Sequence, residues 1–307
     1  MIAAITGANG FIGRHLVRRF GEAGWETRPV VRRDFDDGGI ERLFAGVDVV
    51  VHAAGATRAP THMQLRASNI GVTRTVIEAA RRARAKRLVF ISSQAAAGPA
   101  GSRDDPVTEE QPPAPHEAYG QSKLEAERLV AAATDLDPAI VRPAAVYGPG
   151  DRDFLAMFRL ARYGVALHPG NRDHWISIVH VDDLVSGIIQ AASERRSAGR
   201  TYFVANDEPV QWKQLFRDAA KCARRSLAVD LDLPATLIRF AAGVGDVAAR
   251  WTGKAGLVTS EKVALTTPRF WICSSGRAKR EIGFCPRVDL HRGLCETYQW
   301  YLSNRWL

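Results

Sequence analysis

The chain is poor in cysteine, poor in lysine, and has no long apolar run. Its four cysteines, Cys222, Cys273, Cys285 and Cys295, all lie in the C-terminal third, and no two are spaced C-x-x-C. Neither a metal site nor a disulfide framework is indicated by that pattern. No apolar stretch reaches the roughly 18 residues that a membrane span needs. The first strand-like run opens at Ile2 and leaves no room for a signal peptide, so the expectation is a soluble cytoplasmic protein with no membrane span. Only 7 of the 42 basic residues are lysine, and the arginines are scattered through helical patterns rather than gathered in one block. The formal charge of +9 is therefore a weak pointer to nucleic acid, and no nucleic-acid partner is expected. A second use for some of these arginines is to meet an anionic cofactor or substrate. No internal repeat is present. The 307 residues, 46% of them hydrophobic, suffice for one large domain and a smaller appended one.

What the chain does contain begins at Thr6. Thr6-Gly7-Ala8-Asn9-Gly10-Phe11-Ile12-Gly13 follows the apolar run Ile2 to Ile5 and precedes a helix-like stretch. In that setting Gly7 permits a tight strand-to-helix turn, Gly10 lets the backbone approach a pyrophosphate, and Gly13 lets the helix pack on the strand. The glycines fall at i, i+3, i+6, and such a loop alone is also compatible with an ordinary turn. Further on, Tyr119 and Lys123 are four residues apart in a run of good helix formers, which puts them on one helix face. A nearby ammonium favours phenolate, so Lys123 is expected to lower the Tyr119 pKa toward working pH. The alternative is a surface Tyr/Lys pair. Leu88-Val89-Phe90-Ile91-Ser92-Ser93 reads as a short strand ending in hydroxyls, where a parallel sheet presents groups to a ligand or where a serine caps a turn.

Taken together these residues resemble the extended short-chain dehydrogenase/reductase family, also called the NAD-dependent epimerase/dehydratase family. The resemblance spans nearly the whole chain. It includes Asp48 to Gly55, Asn69-Ile70-Gly71-Val72-Thr73, Arg142 to Asp151, His180 to Leu184, and the closing segments Ser274 to Lys279 and Gly283 to Pro286. The implied fold is α/β, a doubly wound parallel (Rossmann) sheet with a smaller C-terminal α/β substrate domain, in agreement with the alternating strand and helix patterns. Residues 1–165, with strands and a helix from about 176–205, are expected to form the NAD(P)-binding domain, and 166–307 mainly the substrate domain. Helices 68–84 and 117–134 resemble the family's dimer-forming pair, implying a possible homodimer, although their apolar stripes equally suit packing on the sheet.

The resemblance assigns cofactor contacts to Gly7, Asn9, Gly10, Phe11, Ile12, Gly13, Ala53, Ala54, Gly55, Thr57, Asn69, Tyr119, Lys123, Pro143 and Val146. Cofactor choice is read at the end of the second strand. Val31 stands about where an NAD site places its carboxylate, and Arg32 and Arg33 follow, favouring NADP; Asp34 keeps NAD as an alternative. After Arg33 the family usually has a further helix and a third strand, whereas here only Asp34 to Gly39 precede the helix Ile40 to Ala45; the segment is shortened by roughly a helix, and the adenine edge is expected to be more open.

Catalysis implied by the family is hydride transfer at a secondary alcohol or ketone. Tyr119 exchanges the hydroxyl proton, Lys123 holds the nicotinamide ribose, and Ser93 hydrogen-bonds the reacting oxygen. Ser93 is preferred to Ser92 because Gly98 lies five residues after it, as the family pattern requires. Gln94-Ala95 stand where sugar dehydratases carry an Asp-Glu pair, which demotes dehydration. On the substrate side, Ser93, Arg152, Arg172 and Trp175 suit a nucleotide-sugar whose diphosphate is clamped by arginine, so a nucleotide-sugar epimerase or reductase is placed slightly ahead. The segment Leu233 to Lys254 resembles that of the family's hydroxysteroid dehydrogenase-like and dihydroflavonol reductase-like members, and its run Leu237 to Val244 is apolar enough to wall a lipophilic pocket or to serve as a core helix of the small domain, which makes an oxidoreductase on a lipophilic alcohol or ketone the alternative. A non-catalytic cofactor sensor is the minor reading. The loop Gly98 to His116 is read either as a flap over the site or as a plain solvated loop.

Overall fold

The computed structural model describes the chain except at residues 37, 60, 170–173, 235, 237–239, 241, 244 and 246–267. Strand β1 (Ile2–Thr6) runs through the glycine loop into α1 (Phe11–Glu22), then β2 (Glu26–Val30), the short α2 (Arg33–Asp36) and α3 (Gly39–Phe44), and β3 (Val49–His52). A continuous helical stretch follows, made of α4 (His62–Arg66), a π-turn at Ala67–Gly71 and α5 (Val72–Arg82), before β4 (Arg87–Ile91), α6 (Ala118–Ala131) and β5 (Ala139–Pro143). After β6 (Ala145–Tyr147), α7 (Leu155–Ala161), β7 (Val165–Pro169), β8 (Trp175–Ile176) and β9 (Ile178–His180), α8 (Val181–Ser193) leads to β10 (Arg200–Val204). The remainder is β11 (Val210–Gln211), α9 (Trp212–Cys222), β12 (Val229–Leu233), β13 (Phe270–Trp271), α10 (Gly276–Ile282) and α11 (Leu290–Ser303).

Six strands form one parallel sheet in the order β10-β5-β4-β3-β1-β2. Its inner strands β1, β3 and β4 are nearly continuous apolar runs, as a sheet covered on both faces requires, while the edge strand β2 is largely polar. One face packs Leu16 and Phe20 of α1 with Leu184, Val185 and Ile188 of α8. The other face buries Val76, Ile77, Ala126 and Val130 of α5 and α6. The apolar stripes of these two helices are thus committed at least in part to the sheet. Strand β2 is the outer edge of the sheet, because the chain leaves it through α2 and α3 and returns as β3 on the far side of β1.

The smaller core gathers Phe158 of α7, Leu215 and Phe216 of α9, and Leu294, Tyr298 and Tyr301 of α11, with Trp300 and Trp306 packed against it. Helix α10 instead joins the large core through Ala278 and Ile282. Cys222 of α9 and Cys295 of α11 are joined by a disulfide, which corrects the expectation from the sequence. The absence of a C-x-x-C pair says nothing about residues 73 apart that two packed helices bring together.

The loop 98–116 is pinned rather than loosely solvated. Val107 N–H donates to Ile272 O (3.1 Å), Ser274 N–H donates to Val107 O (2.9 Å), and Ala100 N–H donates to Phe270 O (2.8 Å). Glu109 accepts from Phe203 N–H of β10 at 2.7 Å, and Arg103 lies over the Trp175 ring at 4.0 Å. Among the described residues no helix is long and apolar enough to cross a membrane.

Candidate active site

At the end of β1, Gly7 adopts φ +70°, and a Cβ there would lie 2.8 Å from Ala54 N and 2.9 Å from Ala53 O. Only glycine meets both demands. A Cβ on Gly13 would come within 2.0 Å of the Gly7 carbonyl oxygen, so α1 packs directly on the turn. Gly10 N–H donates to Gly7 O at 2.8 Å, and α1 begins without a side-chain cap or an acidic residue in its first turn. Its first amide groups face an exposed Asn9-Gly10 corner with Phe11 and Ile12 half-buried beside it. Such a turn can hold a diphosphate.

Strand β3 ends against the same turn, and a hydrogen-bond chain fixes it there. Ala54 N–H donates to Thr6 Oγ1 (3.1 Å), and Thr6 Oγ1 lies 2.8 Å from His52 Nδ1. His52 Nε2 lies 3.0 Å from Thr73 Oγ1, which donates to Asn69 O at 2.6 Å. Because the Thr73 hydroxyl proton is committed to Asn69, His52 must donate from Nε2 and accept the Thr6 proton at Nδ1. Burial, with a smaller contribution from Lys123, pushes the His52 pKa down to about 3, so the ring stays neutral and the chain keeps one direction. His52, Thr6 and Thr73 are missed by sequence reasoning; the one signal is a histidine ending the apolar run Val49 to Val51.

Asn69 connects this corner to α6. Its Oδ1 accepts from Ala56 N–H (2.8 Å), and its Nδ2 donates to Ala56 O (3.0 Å) and Ser122 Oγ (2.8 Å). The π-turn at Ala67–Gly71 carries Asn69, a local distortion often found where a side chain must be aimed. A Cβ on Gly55 would sit 2.9 Å from Asn69 Oδ1 and 4.0 Å from Lys123 Nζ. Thr57 lies beyond on the exposed part of the same loop, and Pro143 and Val146 sit at the end of β5 and on β6.

The face of α6 turned inward carries Tyr119, Lys123 and Glu127 at successive i+4 positions. Lys123 Nζ donates to Ile91 O at 2.7 Å and lies 4.1 Å from the centre of the Phe90 ring. Burial lowers its pKa to about 7, against a small raising effect of Glu127. Glu127 in turn receives Arg142 Nε and Nη2 at 2.9 and 2.6 Å. Tyr119 is next to Ser93, whose hydroxyl favours the phenolate, yet burial outweighs that effect and pushes the Tyr119 pKa up to about 12. The expectation that Lys123 draws the phenol toward neutral pH does not hold for the protein alone, because both groups pay for desolvation before they meet. Ser93 stands at the end of β4, caps the turn Gln94–Ala96 and accepts from Ala95 N–H at 3.1 Å. It is Ser93, not the buried Ser92, that reaches Tyr119.

Arg32 and Arg33 are exposed at the end of β2. Asp34 accepts from Val31 N–H at 2.7 Å, which occupies one carboxylate oxygen locally. On the substrate side Trp175 lies under Arg103, and the Arg152 guanidinium lies 5.1 Å from the centre of the Trp306 ring. Arg172, Asn171 and most of 237–244 fall outside the described residues. The bend before Arg152 is set by buried Asp151, which accepts from Asp153 N–H (2.8 Å) and Phe154 N–H (2.9 Å) and faces Tyr301 OH at 3.4 Å. Burial raises the Asp151 pKa to about 6. Asp153 is paired with Arg58 from the loop after β3.

A family model described as the NAD dependent epimerase/dehydratase family matches residues 3–205. The chain is 30% identical to ceramide reductase of Caulobacter vibrioides over 100% of its own length and 96% of that protein. It is 26% identical to UDP-glucose 4-epimerase of Vibrio cholerae, covering 97% of this chain and 95% of the relative. Among solved structures, MoeE5 in complex with UDP-glucose and NAD matches with a TM-score of 0.79 at 23% identity, covering 99% and 100% of the two chains. At that identity the structural match speaks for the fold.

Proposed function

The chain belongs to the NAD-dependent epimerase/dehydratase family, an enzyme family of hydride transfer, and from that premise we propose that it reduces a ketone carried on a lipophilic substrate, or oxidises the corresponding alcohol. The carrying observation for the chemistry is the convergence of Ser93, Tyr119 and Lys123 at the end of β4, with Gly55 and the glycine turn alongside. The residues fit a nicotinamide dinucleotide, because Gly7 and Gly13 let β1, β3 and α1 close into a tight turn where any Cβ would meet backbone, and the first amides of α1 are uncapped. When bound, that cofactor accepts or supplies the hydride.

The side chains do the rest. Ser93 donates a hydrogen bond to the reacting oxygen, and Tyr119 gives it a proton in reduction or removes one in oxidation. Lys123 adds a positive charge behind Tyr119 and binds the ribose of the cofactor. An ammonium with a pKa near 7 gains acceptors for its N–H groups from the ribose hydroxyls, which favours its charged form, and that charge then lowers the Tyr119 pKa from its high resting value. Arg32 and Arg33 favour NADP by offering two cations to a 2′-phosphate.

Substrate class rests on the other end of the site. Arg152, expected to clamp a diphosphate, is spread over Trp306, and the relative aligned over the whole chain at 30% identity is a ceramide reductase. Both support a lipophilic substrate. The second reading, a nucleotide-sugar epimerase or reductase, is supported by the nearly full-length match to UDP-glucose 4-epimerase. Titration of the NADPH-loaded protein with a ceramide-class ketone and with UDP- and dTDP-sugars separates them. Cofactor oxidation with the lipid alone supports the proposal, and binding of a nucleotide-sugar alone reverses the order.

A further inference from the structure

One cluster of chemically active side chains takes no part in that reaction. Cys222 ends α9, while His291 and Cys295 lie four residues apart on α11, so one helix face offers an imidazole and a sulfur to the end of the other helix. Cys222 and Cys295 are disulfide-bonded with their Cα atoms 5.0 Å apart. His291 Nε2 lies 3.7 Å from Cys295 Sγ, and the ligand atoms of all three residues lie within 4.8 Å of one another. Tetrahedral zinc, with bonds of about 2.3 Å to sulfur and about 2.1 Å to nitrogen, holds a sulfur and a nitrogen ligand about 3.6 Å apart. The Cys295–His291 pair already has that spacing. Two sulfur ligands of zinc stand about 3.8 Å apart, so the sulfur–sulfur bond must open before both can bind. His291 is exposed and both cysteines are half-buried, which leaves the group open to a reductant and to an ion. Among the described residues the group holds three ligands, and water would complete the tetrahedron.

We propose that Cys222, His291 and Cys295 form a redox-gated zinc site, closed to metal while the disulfide stands and binding one Zn²⁺ when the thiols are free. A dithiol delivers two electrons and two protons to the disulfide and leaves as its own disulfide. Zn²⁺ then displaces the two thiol protons, and the two thiolates balance its charge. Either state ties α9 to α11 at the edge of the small core.

The test uses the full chain, treated with a dithiol or with a thiol oxidant, freed of reagent without oxygen, and titrated with Co²⁺ as a coloured stand-in for Zn²⁺. The reduced protein is expected to bind one Co²⁺ with thiolate-to-metal charge-transfer absorption, to release it to Zn²⁺, and to keep its far-ultraviolet circular dichroism. The oxidised protein is expected to show no such band. A Cys222→Ser/Cys295→Ser double variant should lose the band, and His291→Ala should weaken binding at least about tenfold. Absence of the band in reduced wild-type protein, its persistence in the double variant, or unfolding on reduction would each overturn the proposal.

Discussion

Lys123 Nζ donates to the backbone oxygen of Ile91 at 2.7 Å, two residues before Ser93, so the ammonium is tied to the strand that presents the hydroxyl partner of Tyr119. The tie costs solvation, and burial brings the Lys123 pKa down to about 7. In the unfolded chain the same group titrates near 10.4. Between these values the unfolded state holds the extra proton, so the Lys123 contribution to stability rises as pH rises from about 7 to about 10, by at most about 1.4 kcal/mol per pH unit. Urea unfolding of wild type and Lys123→Met should therefore show a stability difference that moves in favour of wild type with increasing pH across that window. A difference independent of pH would mean that Lys123 is fully charged in the fold.

Arg32 and Arg33 follow β2 at an open sheet edge. Changing both to Ala should weaken NADPH binding by roughly tenfold or more, the scale of losing charge-assisted bonds to a phosphate, and leave NADH binding nearly unchanged. Isothermal calorimetry with each cofactor checks this. Equal losses would place the two arginines outside the 2′-phosphate contact.

Glu127 and Arg142 form a two-bonded pair with side chains only 5% and 7% exposed. Glu127→Ala leaves the guanidinium buried and unpaired, and is expected to cost about 3–5 kcal/mol. A Glu127→Leu/Arg142→Met double variant should recover much of that loss, since the apolar replacements leave no orphaned charge. Chemical denaturation of the single and double variants gives the comparison.

Gly13→Ala should fail more severely than Gly10→Ala. The added Cβ would meet the Gly7 oxygen at 2.0 Å in the first case and at 3.1 Å in the second. The first must move α1 off the turn, lowering both thermal stability and cofactor affinity, while the second asks for a shift of a few tenths of an ångström. Thermal unfolding with and without NADPH measures both effects.

Much of this architecture was legible in the sequence because each signal was local. The glycine spacing, the Tyr119–Lys123 interval and the hydroxyl ending a short apolar strand each depend on a few adjacent residues, and the structure places them together. The inward face of α6 was less plain, because it carries the half-buried Tyr119 and the buried Lys123 and Glu127 in place of a simple apolar stripe. What the sequence could not show is long-range pairing. His52 gains its role from Thr6 and Thr73, Arg152 turns toward Trp306, and Cys222 meets Cys295 only because α9 packs on α11. The Tyr119 pKa was misjudged for a related reason: a pairwise argument about a phenol and an ammonium omits the burial that both undergo.

The most direct measurement is transfer of deuterium from NADPH carrying two deuterium atoms at C4 to a ceramide-class ketone, followed by mass spectrometry of the lipid, for wild type and Tyr119→Phe. The account predicts one deuterium on the carbinol carbon with wild type, and a rate about 10²–10⁴-fold lower with Tyr119→Phe while NADPH still binds. Unlabelled lipid from wild type, or an undiminished rate in Tyr119→Phe, would contradict it.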